Sequence, residues 1–166
     1  MRRVSISLDP EAIDALIKEL EEEKVSVQRK LHEAAKELAE FGADHAGKIY
    51  SQAMYDGVND VSVFTKERKH GYSVIASGNA AAFIEFGAGA TFGEGHPMAG
   101  ELGMQPGSWS TSELGKGHWD DPEGWYFMGE DGKWHFTLGH PPAMAMFEAQ
   151  LAMQEYAPSV VRSKFE

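Results

Sequence analysis

The chain has 166 residues, 42% of them hydrophobic and 11% aromatic, with a formal net charge of −11; that length supports one folded domain with a real core. The excess of acid disfavours a protein that grips nucleic acid through its phosphates, because such a grip comes from Lys and Arg. Having no cysteine, the chain can form no disulfide, Cys-ligated zinc or thiol nucleophile, and it fits a reducing cytosol.

In chain order, Val4, Ile6 and Leu8 alternate with polar residues and predict a short strand. The basic start at Arg2 turns acidic before any apolar core of signal-peptide length. No stretch approaches the roughly 20 apolar residues of a membrane helix, so the chain reads as soluble and unexported. Asp9 can cap a helix that Pro10 opens, with Glu11 in the first turn and Ile13, Leu16, Ile17 and Leu20 as its apolar stripe. From about Ser26 a second stripe runs through Val27, Leu31, Ala34, Leu38, Phe41, His45 and Ile49. It describes a long amphipathic helix ending near Gly57 and weakened at Gly42 and Gly47. The acid run Glu19 to Glu23 between the stripes reads as a solvated face or a helix junction. These N-terminal helices are the part of the chain able to project.

Two alternating runs around Lys69-His70-Gly71 predict a β-hairpin over residues 60–78. Asn79 can then cap a short helix, Ala80 to Phe86, which Gly87 would end as a left-handed residue. Residues 91–124 follow as a long flexible loop with eight glycines and a single base, Lys116; loops of that length are functional or mobile. A second, aromatic hairpin turns at Asp131-Gly132. Pro141 and Pro142 open the last helix, which Pro158 breaks or restarts. The fold class is therefore α+β: a small, mainly antiparallel sheet packed against a long N-terminal helical segment and a C-terminal helix. The expected organisation is one domain over 1–166, divided into a strand and helices (1–57), hairpin and short helix (58–90), loop (91–124), and hairpin and helix (125–166).

The glycines after Phe86 do not read as a phosphate loop. They follow a helix rather than precede one, and no lysine stands between Lys69 and Lys116. A metal site could draw on His96, His118, His135 and His140 with nearby carboxylates, but no helical pair or HExxH motif is present. Ser108 and Ser110 lack a nucleophile elbow, and Asp120 and Asp121 lie in what reads as a solvated acidic loop. Seven aromatics, Trp109, Trp119, Trp125, Tyr126, Phe127, Trp134 and Phe136, fall within 28 residues. Acidic neighbours disfavour base stacking, which leaves burial in the core or burial against another subunit.

Three pieces, "NAAAFIEFGAG", then "PGSWSTSELGKG" with "GWYF", then "GHPPAMAMFEA", together resemble the small neck, head–tail joining and tail-component family of long-tailed bacteriophages over roughly residues 60–155. Where that family continues with Gly-Thr-Gly, this chain has Gly87-Ala88-Gly89, which keeps the turn and loses a hydroxyl. None of these motifs is catalytic, so the resemblance brings no active site, metal or cofactor. It implies a homo-oligomeric ring in the virion, assembled in the host cytoplasm. Such a ring contacts a head-connector protein and a tail protein and lets DNA pass without specific binding. On that basis Phe83, Phe86, Trp109, Trp119 and Trp125 are candidate subunit-interface residues, and Gly87 and Gly89 a candidate loop hinge. The alternatives are a metal-dependent hydrolase built on the loop histidines and acids, and a host or toxin-system binding module.

Overall fold

The computed structural model describes residues 9–53, 59–104, 121, 123–129 and 131–166. The strand expected at Val4 to Leu8, most of the loop beyond Met104, and Trp109, His118 and Trp119 lie outside them.

Asp9 and Pro10 start α1 (Pro10–Gln52) as the residue types dictate, with the Asp9 carboxylate accepting the Ala12 N–H at 2.9 Å. The helix then runs 43 residues without a break, about 64 Å at 1.5 Å per residue. The acid run Glu19 to Glu23 is thus a solvated helical face, and the two apolar stripes belong to one helix. Its buried residues begin only at Ala34. Beyond Gln52, Asn59 bonds back from its side-chain amide to the Tyr50 and Ala53 carbonyls and closes the helix end.

The first hairpin pairs β1 (Ser62–Arg68) with β2 (Gly71–Ser77), in register from Ser62 opposite Ser77 to Arg68 opposite Gly71. It leads into α2 (Ala81–Phe86). Asn79 does not cap that helix. Instead the Asp60 carboxylate, at the foot of the hairpin, accepts the N–H groups of Asn79 at 2.7 Å and Ala80 at 3.0 Å. No side chain caps the first turn of α2 itself; the Asp60 carboxylate satisfies the two N–H groups just ahead of it through charge-assisted bonds.

Beyond α2, β3 (Ala88–Gly89) pairs with β6 (Gly139–His140), and β4 (Trp125–Met128) with β5 (Trp134–Thr137). All described pairings are antiparallel, in three two-stranded ladders rather than one continuous sheet. The second hairpin turns over Gly129–Lys133, with the Asp131 carboxylate accepting the Lys133 N–H. Residues 91–104 are a chain of tight turns, and Phe92, His96 and Ala99 among them are buried. That part of the expected loop is therefore core-forming. Finally α3 (Ala145–Phe165) runs through Pro158. Both Pro158 and Gln154, whose carbonyl loses its donor there, are exposed, a setting in which a proline is tolerated inside a helix.

α3 lies antiparallel on the C-terminal half of α1. Tyr156 stacks against Phe41 at 4.6 Å between ring centres, and Lys164 reaches Glu37 at 2.8 Å. Gly42 lets Met153 approach the α1 backbone, where any Cβ would collide with it. Two apolar clusters meet at α2: Phe83 and Phe86 join Ala88, Phe92, Ala99 and Trp125, while Ile84 joins Ala46, Tyr50, Ala80, Ala145 and Ala149.

The two backbone bonds to Asp60 hold its carboxyl below the ordinary aspartate value. A depressed folded pKa gives stability that is whole above the ordinary value, about 3.9, and is lost as pH falls through the folded one. Asp60→Asn should lower the melting temperature at pH 7, and the gap to wild type should close as the pH drops below about 3.9; thermal melts across that range read it directly.

Candidate functional site

The most organised polar site is built around a glutamate inside an apolar helix. α2 reads Ala-Ala-Phe-Ile-Glu-Phe, and because it is sandwiched between the two clusters, Glu85 is buried. Its carboxylate accepts four hydrogen bonds. Oε2 takes the Tyr50 hydroxyl at 3.1 Å and the Met146 N–H at 2.8 Å. Oε1 takes His96 Nε2 at 3.2 Å and the Phe147 N–H at 3.1 Å.

Two of these donors are orphan N–H groups of the first turn of α3. That helix starts from Met144 in a left-handed conformation (φ 54°) with no side-chain cap of its own. Glu85 supplies the cap from 61 residues away in sequence, where a negative charge also complements the helix dipole. The backbone continues the seam: Ala143 N–H donates to the Ile84 carbonyl at 2.8 Å and Met144 N–H to that of Glu85 at 3.2 Å.

His96 is committed on both ring nitrogens. Met98 N–H donates to Nδ1 at 3.2 Å, which makes Nδ1 the acceptor and puts the ring proton on Nε2, facing Glu85. The ring packs between Phe86 and Phe147, at 4.4 and 5.7 Å between centres. Burial, reinforced by the Glu85 charge, pushes the Tyr50 phenol above its ordinary range and keeps it a donor. Tyr50 from α1, Glu85 from α2, His96 from the turns and the start of α3 are thereby joined through one carboxylate, whose four acceptor directions are all used.

Beside this junction opens an apolar cavity of about 670 Å³ lined by Ile75, Ala82, Met98, Leu102, Phe147 and Met153 among others. Its size is that of a small-molecule pocket. The polar groups at its floor, however, are bonded to one another.

The residues singled out from sequence are dispersed. Phe83, Phe86 and Trp125 are buried in the chain's own core, where the six-residue helix and β4 turn them inward. Gly87 and Gly89 take positive φ (81° and 69°) and are held against the strand and turn that follow β5, close to His140, Pro142 and Leu138 backbone atoms. His135 pairs with Asp131 at 2.9 Å on the exposed second turn, and His140 sits in β6 with Nδ1 beside the Pro141 carbonyl. His96, His135 and His140 are not brought together, and among the described residues no three His, Asp or Glu side chains form a metal-holding group. Ser108, Ser110 and Asp120 lie outside the described residues, and the Asp121 carboxylate accepts the Glu123 N–H. Sequence reasoning missed Glu85 and Tyr50. The available signal was a lone glutamate flanked by Ile84 and Phe86, where a solvated face has no room.

Family models, curated proteins and solved structures were compared with the chain, and none matches it.

Glu85→Gln keeps the shape but turns an NH2 group toward donors, leaving at least one buried N–H or O–H unpaired. A loss of about 2–4 kcal/mol in unfolding free energy is expected, and urea titration measures it. Gly87→Ala would bring a Cβ to 2.8 Å from the His140 carbonyl oxygen and the Pro142 nitrogen. With its positive φ, that substitution should cost about 1–3 kcal/mol in the same titration.

Proposed function

We propose that this chain is a structural component of a phage or prophage virion, acting in head–tail joining, the neck or tail completion as a homo-oligomeric ring through which DNA passes. The observation that carries the reading, beside the resemblance over residues 60–155, is the surface of the second hairpin. Tyr126 and Trp134 are each 66% exposed, and Met128, Phe136 and Leu138 stand exposed around them. Aromatic and aliphatic side chains contiguous on a short ladder with an open edge make adhesive surface. A heterologous contact through such a surface closes into a ring when its rotation permits.

The charge balance of −11 suits a lumen that repels DNA phosphates and lets the duplex slide. Partners follow from the same reading: further copies of this chain, a head-connector protein and a tail protein. No helix among the described residues is long and apolar enough to cross a membrane. The location proposed is the virion, with assembly in the bacterial cytoplasm.

Native mass spectrometry with negative-stain imaging tests the proposal, and closed rings of identical copies around a channel wide enough for duplex DNA are the expected result. Trp134→Ser combined with Phe136→Ser should weaken assembly by about 2–4 kcal/mol per contact while the melting temperature stays close to wild type. A chain that remains single, both alone and mixed with head-connector and tail proteins of its virus, overturns it.

A further inference from the structure

The apolar cavity beside Glu85 is held open by the junction that adjoins it. Its walls include Ile75 of β2, Ala82 of α2, Met98 and Leu102 of the turns, and Phe147 and Met153 of α3. The turns and α3 are each tied down. Nδ1 of His96 accepts the Met98 N–H, Glu85 Oε1 accepts the Phe147 N–H, and Met153 is seated on Gly42 of α1. These contacts resist collapse of one side onto the other, so about 670 Å³ of space is built into the fold. Leu102, 59% exposed, marks the mouth. A guest meets a preformed space, which removes much of the ordering cost of binding.

We propose that this cavity is a binding site for an uncharged, largely apolar small molecule, an aliphatic chain or a fused ring with at most one hydrogen-bonding group. The lining sets that class. At the floor, the Tyr50 proton, both nitrogens of His96 and both oxygens of Glu85 are committed to one another or to backbone N–H groups. A strongly polar ligand would lose its hydration there and find no donor in exchange. Glu85 is the one acidic residue on the lining, and no Lys or Arg among the described residues stands on it. An anionic head group would face a buried carboxylate with nothing to neutralise it, and a cation would have to draw that carboxylate from its four donors. What remains is apolar contact. Met98, Met146 and Met153 all line the space, and their flexible, polarisable thioethers adapt to a ring edge or a chain. Gln150, on the exposed side, offers an amide able to donate to or accept from a single hydroxyl or carbonyl. The site is complete within one chain, so it stands whether or not copies of the chain close into a ring.

Fluorescence titration of the full chain with the uncharged probe N-phenyl-1-naphthylamine tests it at pH 7, about three units above the ordinary carboxylate value. One probe should bind per chain, saturably, with a dissociation constant on the order of 10 μM. Decanol should displace it at concentrations about tenfold or more below those that decanoate needs, since the two carry chains of equal length and differ in the charge of the head. Ala82→Trp fills the space and should weaken probe binding about tenfold or more, with circular dichroism reporting that the body is still folded. Leu102→Lys does not depend on that variant. It puts a cation at the exposed mouth, away from the core, and should bring decanoate within about threefold of decanol. Trp134→Ser combined with Phe136→Ser, on the second hairpin, should bind the probe as wild type does. Absence of saturable binding, decanoate competing as well as decanol on the wild type, unchanged binding in a folded Ala82→Trp chain, unchanged selectivity in Leu102→Lys, or loss of binding in the hairpin variant each overturns the proposal.

Discussion

The fold depends on one buried carboxylate. Placing an ionised glutamate in a protein interior is costly unless its oxygens are met by donors in good geometry. Glu85 is met by four, from a tyrosine on α1, a histidine in the turns and two N–H groups of α3. Each donor would itself be costly to leave unpaired, so the requirement is mutual. The position of α3 on α1, the tautomer of His96 and the burial of α2 are consequences of one satisfied charge. Apolar burial supplies most of the driving force, but it is indifferent to which of several packings is adopted. The bonds to Glu85 discriminate between them.

Seen this way, the molecule has two unlike regions. Around Glu85 the chain is consumed by itself: Phe83, Phe86 and Trp125 face inward, and both nitrogens of His96 are occupied. Away from it, the N-terminal half of α1 and the outer face of the second hairpin leave large apolar side chains in water. Among the described residues, both ring nitrogens of His96 and both oxygens of Glu85 are committed to internal bonds, while large apolar side chains of that half of α1 and of the second hairpin stand exposed.

Much of the architecture was legible in the sequence because its signals are local. The Asp9-Pro10 start, the 3- and 4-residue steps of α1, the alternation around Lys69-His70 and the Asp131-Gly132 turn depend on neighbours within a few residues, and the structure contains each of them. Interactions across long separations were not legible. Asp60 takes the N–H groups of Asn79 and Ala80 ahead of α2 across a separation of 19 and 20 residues, which no local pattern encodes. Continuity of α1 through the acid run turned on solvation of one face, which permits either a junction or a helix. The candidate site was hidden for the same reason. Nothing near Glu85 in the chain announces that its donors lie at residues 50, 96, 146 and 147.

Those separations bear on how the polypeptide acquires its shape. The carboxylate must wait for Phe147, 62 residues further along, and bringing the two together closes a long loop whose entropy is unfavourable until contacts on both sides form. During synthesis α1 and the first hairpin emerge well before α3, so Glu85 stays hydrated, and the apolar side chains of α2 stay uncovered, until the final helix arrives. Interior closure therefore waits for α3.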